Sequence, residues 1–423
     1  MRRRFAAILV ILVAAGCAAP ARGEASARPR VIVQGLANPF EILYGPDGKL
    51  WATEKTGRRV LRIDPASGAV AVAGTIAEAT STPRGQDGLL GMALRLPDVY
   101  LAYSYGERVK IARYAYDAAT GRLGARTDLV TGLPSSPDHA AGRLLIGPDD
   151  KLYYTIGDQG NNQYGRACRP NNAQDPRILE GKVLRINLDG TVPADNPLAG
   201  YVYSYGHRNP QGLVFARGRL YSSEQGPKTD DEINWIRPGR DYGWPRVAGY
   251  ADGKAYAYVN WSASTACRQY SDFAVPPSVP VQPEAEVPHF APPLRTFYTV
   301  ADGFDFRDRR CAADYNICWP TLAPANLDFY PYAAIPGWHD SLLMASLKGG
   351  AVYRMPLSAD GTAVGAAVAE LRTVNRYRDT AINPDGRGIY VATDAAGSTR
   401  GADGRPTDRL ANPGAILEFR YPF

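Results

Sequence analysis

Residues suited to acid–base chemistry occur in two neighbouring stretches of the chain. SSPDHAAGRLLIG contains Asp138 and His139, and KLYYTIGDQG, which follows shortly after it, contains Asp158. Histidine suits a general base because its pKa lies near working pH, and a carboxylate can fix its tautomer. The plain alternative is a loop histidine bonded to the backbone. A strand-like run follows His139 and leads to Asp158, which it brings towards the same end of this part of the chain as His139. The pattern therefore predicts that His139 is a base and that Asp158 orients it.

Cationic side chains form a second group. In YGHRNPQGL, Arg208 stands beside Asn209, and a planar guanidinium next to a planar amide suits carboxylates or a conjugated anionic ring. Lys348 in ASLKGG and Arg376 and Arg378 in NRYRD add three further cations. The alternative is scattered surface charge. If the fold gathers these three cations around one opening of a closed barrel, they indicate an anionic ligand.

An acidic run follows a turn in SSEQGPKTDDEINWI. Asp230, Asp231 and Glu232 come just after Gly226 and Pro227. Carboxylates combined with backbone carbonyls are the ligands that Ca²⁺ selects. The spacing is not that of an EF-hand, and the alternative is a solvated acidic loop. The stretch therefore predicts a loop competent to bind calcium.

The elements that must position these residues read as β-strands. Strand-like runs such as KLWATEK, YLAYSYG, KLYYTIG and LLMASLK are bounded by turn residues, and no long stretch has helical periodicity. Six units of the form turn, strand, loop, strand, turn begin at Gly45, Leu96, Gly147, Ala216, Trp338 and Asn383. Repeats of roughly 40–50 residues are typical of propeller blades.

The repeat therefore predicts an all-β, six-bladed β-propeller with four-stranded antiparallel blades. The long interval between the fourth and fifth units, Ala216 to Trp338, must contain an insertion, which includes the proline-rich stretch Val275–Pro293. A pair of sandwiches or two separate β domains is the alternative on the repeats alone. In a propeller, the loops at one mouth of the channel are where function concentrates.

The N-terminus has the composition of an export signal. Arg2, Arg3 and Arg4 precede an apolar run from Phe5 to Ala15 that is too short to span a bilayer. The ending AAGC is also similar to a lipoprotein processing site, so cleavage beyond it and lipidation of Cys17 both stay open. We expect residues 1–26 to form the leader and linker, residues 27–423 the propeller domain, and the protein to be exported to the periplasm.

The cysteine count agrees with export. Without Cys17 four cysteines remain, which suggests two disulfides in an oxidising compartment: Cys311 with Cys318, and by elimination Cys168 with Cys267. A zinc site is the rival interpretation, but no second CxxC-type pair supports it.

Removing the three leader arginines lowers the formal charge from +6 to +3. With no basic run, nothing favours a nucleic-acid partner.

Long motifs in the chain resemble those of the soluble quinoprotein glucose dehydrogenases, which use pyrroloquinoline quinone (PQQ) and belong to the glucose/sorbosone dehydrogenase family. They include SPDHAAGRLLIGPDDKLYYTIGDQGNNQ, EGKVLRINLDGTVPADNP, YGHRNPQGLVF, SEQGPKTDDEINWI, DYGWPRVAGYAD and ICWPTLAP. The likeness covers nearly all of the chain after about Ala27, in order. It implies a six-bladed, periplasmic, calcium-dependent and often homodimeric enzyme.

The resemblance also implies roles for individual residues. His139 would remove the proton from the anomeric hydroxyl while hydride passes to the quinone, Asp158 would orient His139, and Arg208 would lie between sugar and cofactor. The implied sugar contacts are Gln86, Asp138 and Gln163. The implied PQQ contacts are Arg208, Asn209, Gln225, Thr321, Lys348, Arg376 and Arg378. Two calcium ions are implied. The carbonyls of Gly226 and Pro227 would bind the catalytic ion. A second, structural ion would be bound by Glu232, Tyr242, Ala248, Asp252 and Glu286, with Glu284 as the alternative to Glu286.

The leading hypothesis is therefore PQQ- and calcium-dependent oxidation of a glucose-like aldose at C1 to the aldonolactone, with electrons passed to an external acceptor. The segment between Gln163 and Glu180 is shorter than in glucose-oxidising members, so the prediction is an aldose rather than glucose itself. A calcium-dependent lactonase is one alternative, although it would need no cationic rim. A non-catalytic propeller that binds a partner is the other, although every matched cofactor position is present.

Overall fold

Six four-stranded antiparallel sheets follow one another along the chain in a propeller arrangement. The computed structural model describes residues 28–161, 169–252, 287–301 and 304–423. Blades 1 to 3 contain β2 (Pro39–Tyr44), β3 (Leu50–Glu54), β4 (Arg59–Ile63), β5 (Val70–Thr75), β6 (Leu89–Arg95), β7 (Asp98–Tyr105), β8 (Arg108–Asp117), β9 (Arg122–Pro134), β10 (Leu144–Ile146), β11 (Lys151–Ile156), β12 (Lys182–Asn187) and β13 (Val202–Tyr205). The predicted fold class is confirmed.

Blades 4 to 6 repeat the pattern, and the last blade takes its outer strand from the start of the chain. Their strands are β14 (Pro210–Ala216), β15 (Arg219–Glu224), β16 (Asp231–Ile236), β17 (Arg295–Phe297), β18 (Asp328–Tyr330), β19 (Ser341–Ala345), β20 (Val352–Pro356), β21 (Val368–Glu370), β22 (Tyr377–Ile382), β23 (Gly388–Thr393), β26 (Ile416–Arg420) and β1 (Arg30–Val33). β1 pairs with β26, and an ion pair of 2.7 Å between Arg30 and Glu418 joins them. The two ends of the described chain thus close one blade.

Each repeated sequence unit supplies the two middle strands of one blade. The turn GPDGK that opens the first unit joins β2 to β3 through a hydrogen bond from the Gly45 N–H to the Lys49 carbonyl, 2.8 Å. Gly48 in that turn has φ +72°, which glycine adopts without steric cost. Gly147 makes the same 2.8 Å bond to Lys151 in the third unit. In these two units the motif is therefore the hairpin turn between the first and second strands of the blade.

The hydrophobic core is divided into layers between neighbouring blades. Six clusters of buried side chains each contain residues of two adjacent blades, and together they pair every blade with both of its neighbours. In one of them Ile42 of blade 1 packs with Tyr390 of blade 6 and Ile32 of β1. Burial of this apolar surface closes the ring.

The central channel is lined by the innermost strand of every blade. It encloses a cavity of about 300 Å³ whose wall includes Glu41, Arg143, Asp328 and Asp379. Arg143 Nη1 lies 2.6 Å from Glu41 Oε1 and 3.3 Å from Asp379 Oδ2. Two carboxyl groups therefore share one buried guanidinium inside the ring, and the Asp328 carboxyl interacts with it through its charge.

The predicted insertion lies within and after blade 4. The chain leaves β16 at Ile236 and returns as β17 at Arg295, then continues through a 3₁₀ turn, Arg309–Cys311, and the short helix α1, Tyr315–Cys318, before β18. The predicted Cys311–Cys318 disulfide is present and closes this segment. A two-stranded hairpin of β24 (Thr399–Arg400) and β25 (Pro406–Thr407) also extends from blade 6.

Several predictions fall on residues that the structure does not describe. The leader with Cys17, the proposed Cys168–Cys267 pair, Gln163, Glu284 and Glu286 all lie outside the described residues. Within those residues, no helix is long and apolar enough to cross a membrane.

Candidate active site

The predicted base and its carboxylate are in contact. His139 lies in the loop between β9 and β10, and its Nδ1 is 2.7 Å from Asp158 Oδ1 at the end of β11. The Ser136 hydroxyl donates to the carbonyls of Asp138, 2.6 Å, and Gln159, 3.0 Å, which ties the loop to the strand end. His139 is 5% exposed and Asp158 is fully buried. The pair is therefore held in one geometry, with Nδ1 engaged and Nε2 left for chemistry.

Asp158 is stabilised as a carboxylate in spite of its burial. Burial alone would raise its pKa, but the charge and hydrogen bond of His139 and the charge of Arg208 lower the pKa of Asp158 below its ordinary value. The Gly160 N–H also donates to Oδ1 at 2.9 Å. An ionised Asp158 can hold the Nδ1–H tautomer of His139, as a base requires.

His139 faces a cleft of about 430 Å³ at this end of the propeller. The cleft is lined by Gln86, Asp138, His139, Arg208, Gln225, Gly226, Pro227, Asp231, Asp314, Asn316, Trp319, Thr321, Ala323 and Lys348. Two predicted sugar contacts, Gln86 and Asp138, lie on the same wall as the base, and Asp138 Oδ1 is 3.5 Å from His139 Nε2. The cleft therefore brings together the predicted base, two predicted sugar contacts and several predicted cofactor contacts.

Amide groups form a hydrogen-bonded row beside the cleft. Asn209 Nδ2 donates to Gln225 Oε1, 3.0 Å, and to Gln86 Oε1, 3.2 Å. Gln211 Nε2 donates to the same Gln86 oxygen at 3.0 Å. Arg208 Nη1 donates to the Gln225 carbonyl at 3.0 Å. This row fixes the orientation of Gln86, Asn209 and Gln225 before any ligand binds.

A buried lysine lies on another wall of the cleft. The Lys348 ammonium donates to the Thr321 hydroxyl and lies 5.4 Å from the ring centre of Trp319. Burial lowers the pKa of Lys348 to about 7, while the nearby Asp231 carboxylate opposes that shift. An incoming anion would favour the charged form of this ammonium.

The other two predicted cations lie away from the cleft wall. Arg376 Nε and Arg378 Nε bind Asp394 at 3.1 and 2.8 Å. Although burial opposes it, the charges of Arg378 and Arg376 hold the pKa of Asp394 at about 2. Arg378 Nη1 also donates to Gln211 Oε1, 2.9 Å, and so connects with the amide row. Direct contact of these two arginines with a cofactor stays a prediction.

The predicted calcium residues line two adjoining cavities. Gly226 and Pro227 line both the cleft and a smaller cavity of about 10 Å³, which has room for roughly one water-sized particle. Glu232, Tyr242 and Ala248 line only the smaller cavity. Asp252 does not line this cavity. Among the described residues, no group of three or more histidine, cysteine, aspartate and glutamate side chains is arranged to hold a metal.

Sequence reasoning missed several residues of the site. Asp314, Asn316 and Trp319 line the cleft from the disulfide-closed segment, and Trp244 and Asn171 bind Asp158. Trp244 and Trp319 stand in DYGWP and ICWP, which matched family motifs, so the motifs could have drawn attention to them. Their contacts were not predictable, since they join parts of the chain far apart in sequence.

Comparison with known proteins places these residues in a family. The family model described as glucose/sorbosone dehydrogenase matches residues 36–279 and 303–400. The chain is 42% identical over 433 residues to quinoprotein glucose dehydrogenase B of Acinetobacter calcoaceticus, which covers 93% of this chain and 90% of that protein. It is 27% identical over 407 residues to aldose sugar dehydrogenase YliI of Escherichia coli strain K12, with 91% and 94% covered.

A solved structure has the same architecture. The PQQ-bound form of aldose sugar dehydrogenase from Streptomyces coelicolor matches with a TM-score of 0.66 at 27% identity, covering 93% of this chain and 98% of that one. The family match spans the base, the amide row and Lys348. The chain therefore belongs to the glucose/sorbosone dehydrogenase family.

Proposed function

We propose that this chain is a PQQ- and calcium-dependent dehydrogenase that oxidises an aldose at C1 to the aldonolactone and passes the electrons to an external acceptor. The observation that carries the proposal is the buried His139–Asp158 pair, which opens onto the same cleft as Arg208 and Lys348. Family membership and the names of the relatives support a sugar substrate and the quinone cofactor.

The residues of the cleft fit a planar polyanion. Lys348 and Arg208 supply positive charge on the cleft wall, and Thr321 adds a hydroxyl. Two buried polar atoms close by, Asn209 Oδ1 and Trp319 Nε1, have no hydrogen-bond partner among the described residues. Buried polar atoms without partners cost free energy, so a ligand that pairs with them would bind favourably. The donors of this set, Lys348, Arg208, the Thr321 hydroxyl and Trp319 Nε1, suit the three carboxylates and ring carbonyls of PQQ, whereas Asn209 Oδ1 can only accept a hydrogen bond.

The fit to calcium rests on oxygen donors. Gly226 and Pro227 line the cleft, and their carbonyls would supply hard oxygen ligands of the kind that Ca²⁺ prefers. Glu232 and the small cavity beside it support a second ion, which Asp252 and Glu286 would complete.

In the proposed reaction, PQQ supplies the two-electron acceptor and Ca²⁺ the Lewis acid when they are bound. His139 Nε2 accepts the proton of the anomeric hydroxyl while the C1–H bond breaks and its electron pair leaves as hydride, so that C1 becomes the lactone carbonyl. Asp158 stabilises the imidazolium that forms. Asp138, Gln86 and Gln163 orient the sugar.

The location and assembly of the protein also belong to the proposal. Residues 1–26 would direct export to the periplasm, with a lipid anchor on Cys17 as the alternative to simple cleavage, and residues 27–423 would form the whole enzyme domain. A homodimer is the assembly that the resemblance implies.

Replacing the base tests the role of the central residue. His139→Ala is expected to lower kcat by at least about 10²-fold, because general-base catalysis contributes this much, while PQQ binding is retained. His339→Ala is the matched control, since His339 lies at the surface in an ion pair with Asp340. Turnover that survives in His139→Ala together with loss of PQQ binding would overturn the assignment.

A further inference from the structure

We infer that Trp244, assisted by Asn171, is a positioning residue that aims both the His139–Asp158 pair and Arg208 at the reacting carbon. The inference rests on the proposed function for its consequence in turnover, but its structural part concerns residues of this chain alone.

The edge of the Trp244 indole fixes one oxygen of Asp158. Trp244 Nε1 donates to Asp158 Oδ2 at 2.6 Å, and Asn171 Nδ2 donates to the same oxygen at 2.9 Å. The other oxygen, Oδ1, accepts from Gly160 N and faces His139 Nδ1. A carboxylate held at both oxygens cannot rotate without losing several charge-assisted hydrogen bonds. The two donors at Oδ2 therefore keep Oδ1 directed at His139.

The face of the same indole supports the arginine. The Arg208 guanidinium carbon lies 5.4 Å from the centre of the Trp244 ring, within the range of a cation–π contact. Arg208 lines the cleft that His139 faces. One side chain thus contacts both the carboxylate that holds His139 and the Arg208 cation of the same cleft.

The indole is itself held rigidly. Trp244 is 4% exposed, its backbone N–H donates to the Gly206 carbonyl at 3.0 Å, and its backbone carbonyl accepts from Gln174 Nε2 at 2.9 Å. Residues that orient a catalytic or metal-binding side chain typically change activity by 10–100-fold when replaced. Such an effect is expected for Trp244, although it touches neither the proton nor the hydride.

Two substitutions distinguish the role of the indole edge, which binds Asp158, from that of the indole face, which contacts Arg208. Trp244→Phe keeps an aromatic ring beneath Arg208 and removes the indole N–H that donates to Asp158, whereas Trp244→Leu removes both the ring and the donor. We expect Trp244→Phe to lower kcat roughly tenfold with KM for the aldose and the Kd for PQQ within twofold. Trp244→Leu is expected to lower kcat further and to raise KM or the Kd for PQQ. Trp338→Phe, a buried tryptophan in the layer between blades 5 and 6, is the control for loss of core packing.

A spectroscopic measurement on the apoprotein tests the positioning without turnover. The His139 Nδ1 proton, bonded to a carboxylate, is expected to give a downfield resonance, which His139→Ala assigns by its disappearance. Trp244→Phe should broaden or shift it upfield. The second buried pair, His207 Nδ1 with Glu224 Oε2 at 3.0 Å, provides an internal reference that should not move.

An unchanged His139 resonance and unchanged kcat in Trp244→Phe would overturn the inference. So would equal changes at His139 and at His207, which would indicate general loss of structure. If Trp244→Phe does not fold, Asn171→Ser tests the same Asp158 oxygen. If the wild type oxidises no aldose, the proposed function fails, and the apoprotein resonance still decides whether Trp244 positions His139.

Discussion

Burial governs the chemistry of Lys348 at the scale of a single residue. Its ammonium is 5% exposed, bonds to the Thr321 hydroxyl, and lies near the Asp231 carboxylate. Burial of a cation without full compensation is costly, so this site favours the binding of an anion that restores the charged form.

Replacing Lys348 by methionine tests its role in cofactor binding. Because the anion loses a charge-assisted hydrogen bond, we expect Lys348→Met to raise the Kd for PQQ about tenfold or more. The free energy of unfolding of the apoprotein should fall, since the buried Asp231 carboxyl loses its neighbouring cation. Quenching of protein fluorescence by PQQ measures the Kd, and Lys49→Met, at a surface pair with Asp64, is the control. An unchanged Kd would contradict a role for Lys348 in binding.

Residue types in the site were predictable from motifs, whereas their partners were not. The proximity of His139 and Asp158 was predicted because one strand joins them. The pairing of Arg376 and Arg378 with Asp394 was not. Spacing alone cannot tell whether a cation faces a ligand or a neighbouring carboxylate.

At the scale of elements, the disulfide-closed segment forms one wall of the cleft. Cys311 and Cys318 bracket the short helix α1, and Asp314, Asn316 and Trp319 reach the cleft from it. This segment contains one turn of 3₁₀ helix and one of α-helix, too short to be stable alone. The covalent link therefore keeps the wall in place.

Removing this link should weaken ligand binding more than chemistry. The double variant Cys311→Ser/Cys318→Ser is expected to lose about 2 kcal/mol of unfolding free energy, a typical value for one disulfide. KM for the aldose and the Kd for PQQ should rise severalfold, with kcat at saturation less affected because His139 and Asp158 lie on other elements. Steady-state kinetics at saturating PQQ provide the comparison. A loss confined to kcat would contradict this role for the segment.

The middle strands of each blade were predictable because their turns and apolar runs repeat. The outer strand of blade 4 was not, since β17 has only three residues and pairs with β16 across a long stretch of chain. Its position depends on tertiary pairing rather than on local pattern.

At the scale of the whole molecule, the closed ring encloses charge. Glu41 and Asp379 share Arg143 in the central channel, and Asp328 acts on all three through its charge. Glu41 Oε2 has no hydrogen-bond partner in the described structure. Burial raises the pKa of Glu41 to about 8 and that of Asp328 to about 7. These carboxyl groups titrate as one coupled cluster.

The cluster predicts that stability falls as pH rises towards 8. An unfolded glutamate loses its proton near pH 4.5, whereas Glu41 in the folded chain keeps its proton up to about pH 8. Between these values the folded chain binds more protons, so its free energy of unfolding falls by up to about 1.4 kcal/mol per pH unit. Glu41→Gln should make this fall shallower in denaturant titrations between pH 5 and 8, and Glu107→Gln, at the surface, should not. Parallel curves for Glu41→Gln and wild type would contradict the account.

The central claim is that this family member oxidises aldoses with PQQ and Ca²⁺, and titration of the apoprotein tests it most directly. The purified chain, freed of metal by chelation, would be titrated with PQQ and Ca²⁺ and assayed for dye reduction across a panel of aldoses. We expect reduction only when both are present, with stoichiometric PQQ binding and the aldonolactone as product. Failure to bind PQQ in the presence of Ca²⁺, or dye reduction that needs neither, would contradict the claim.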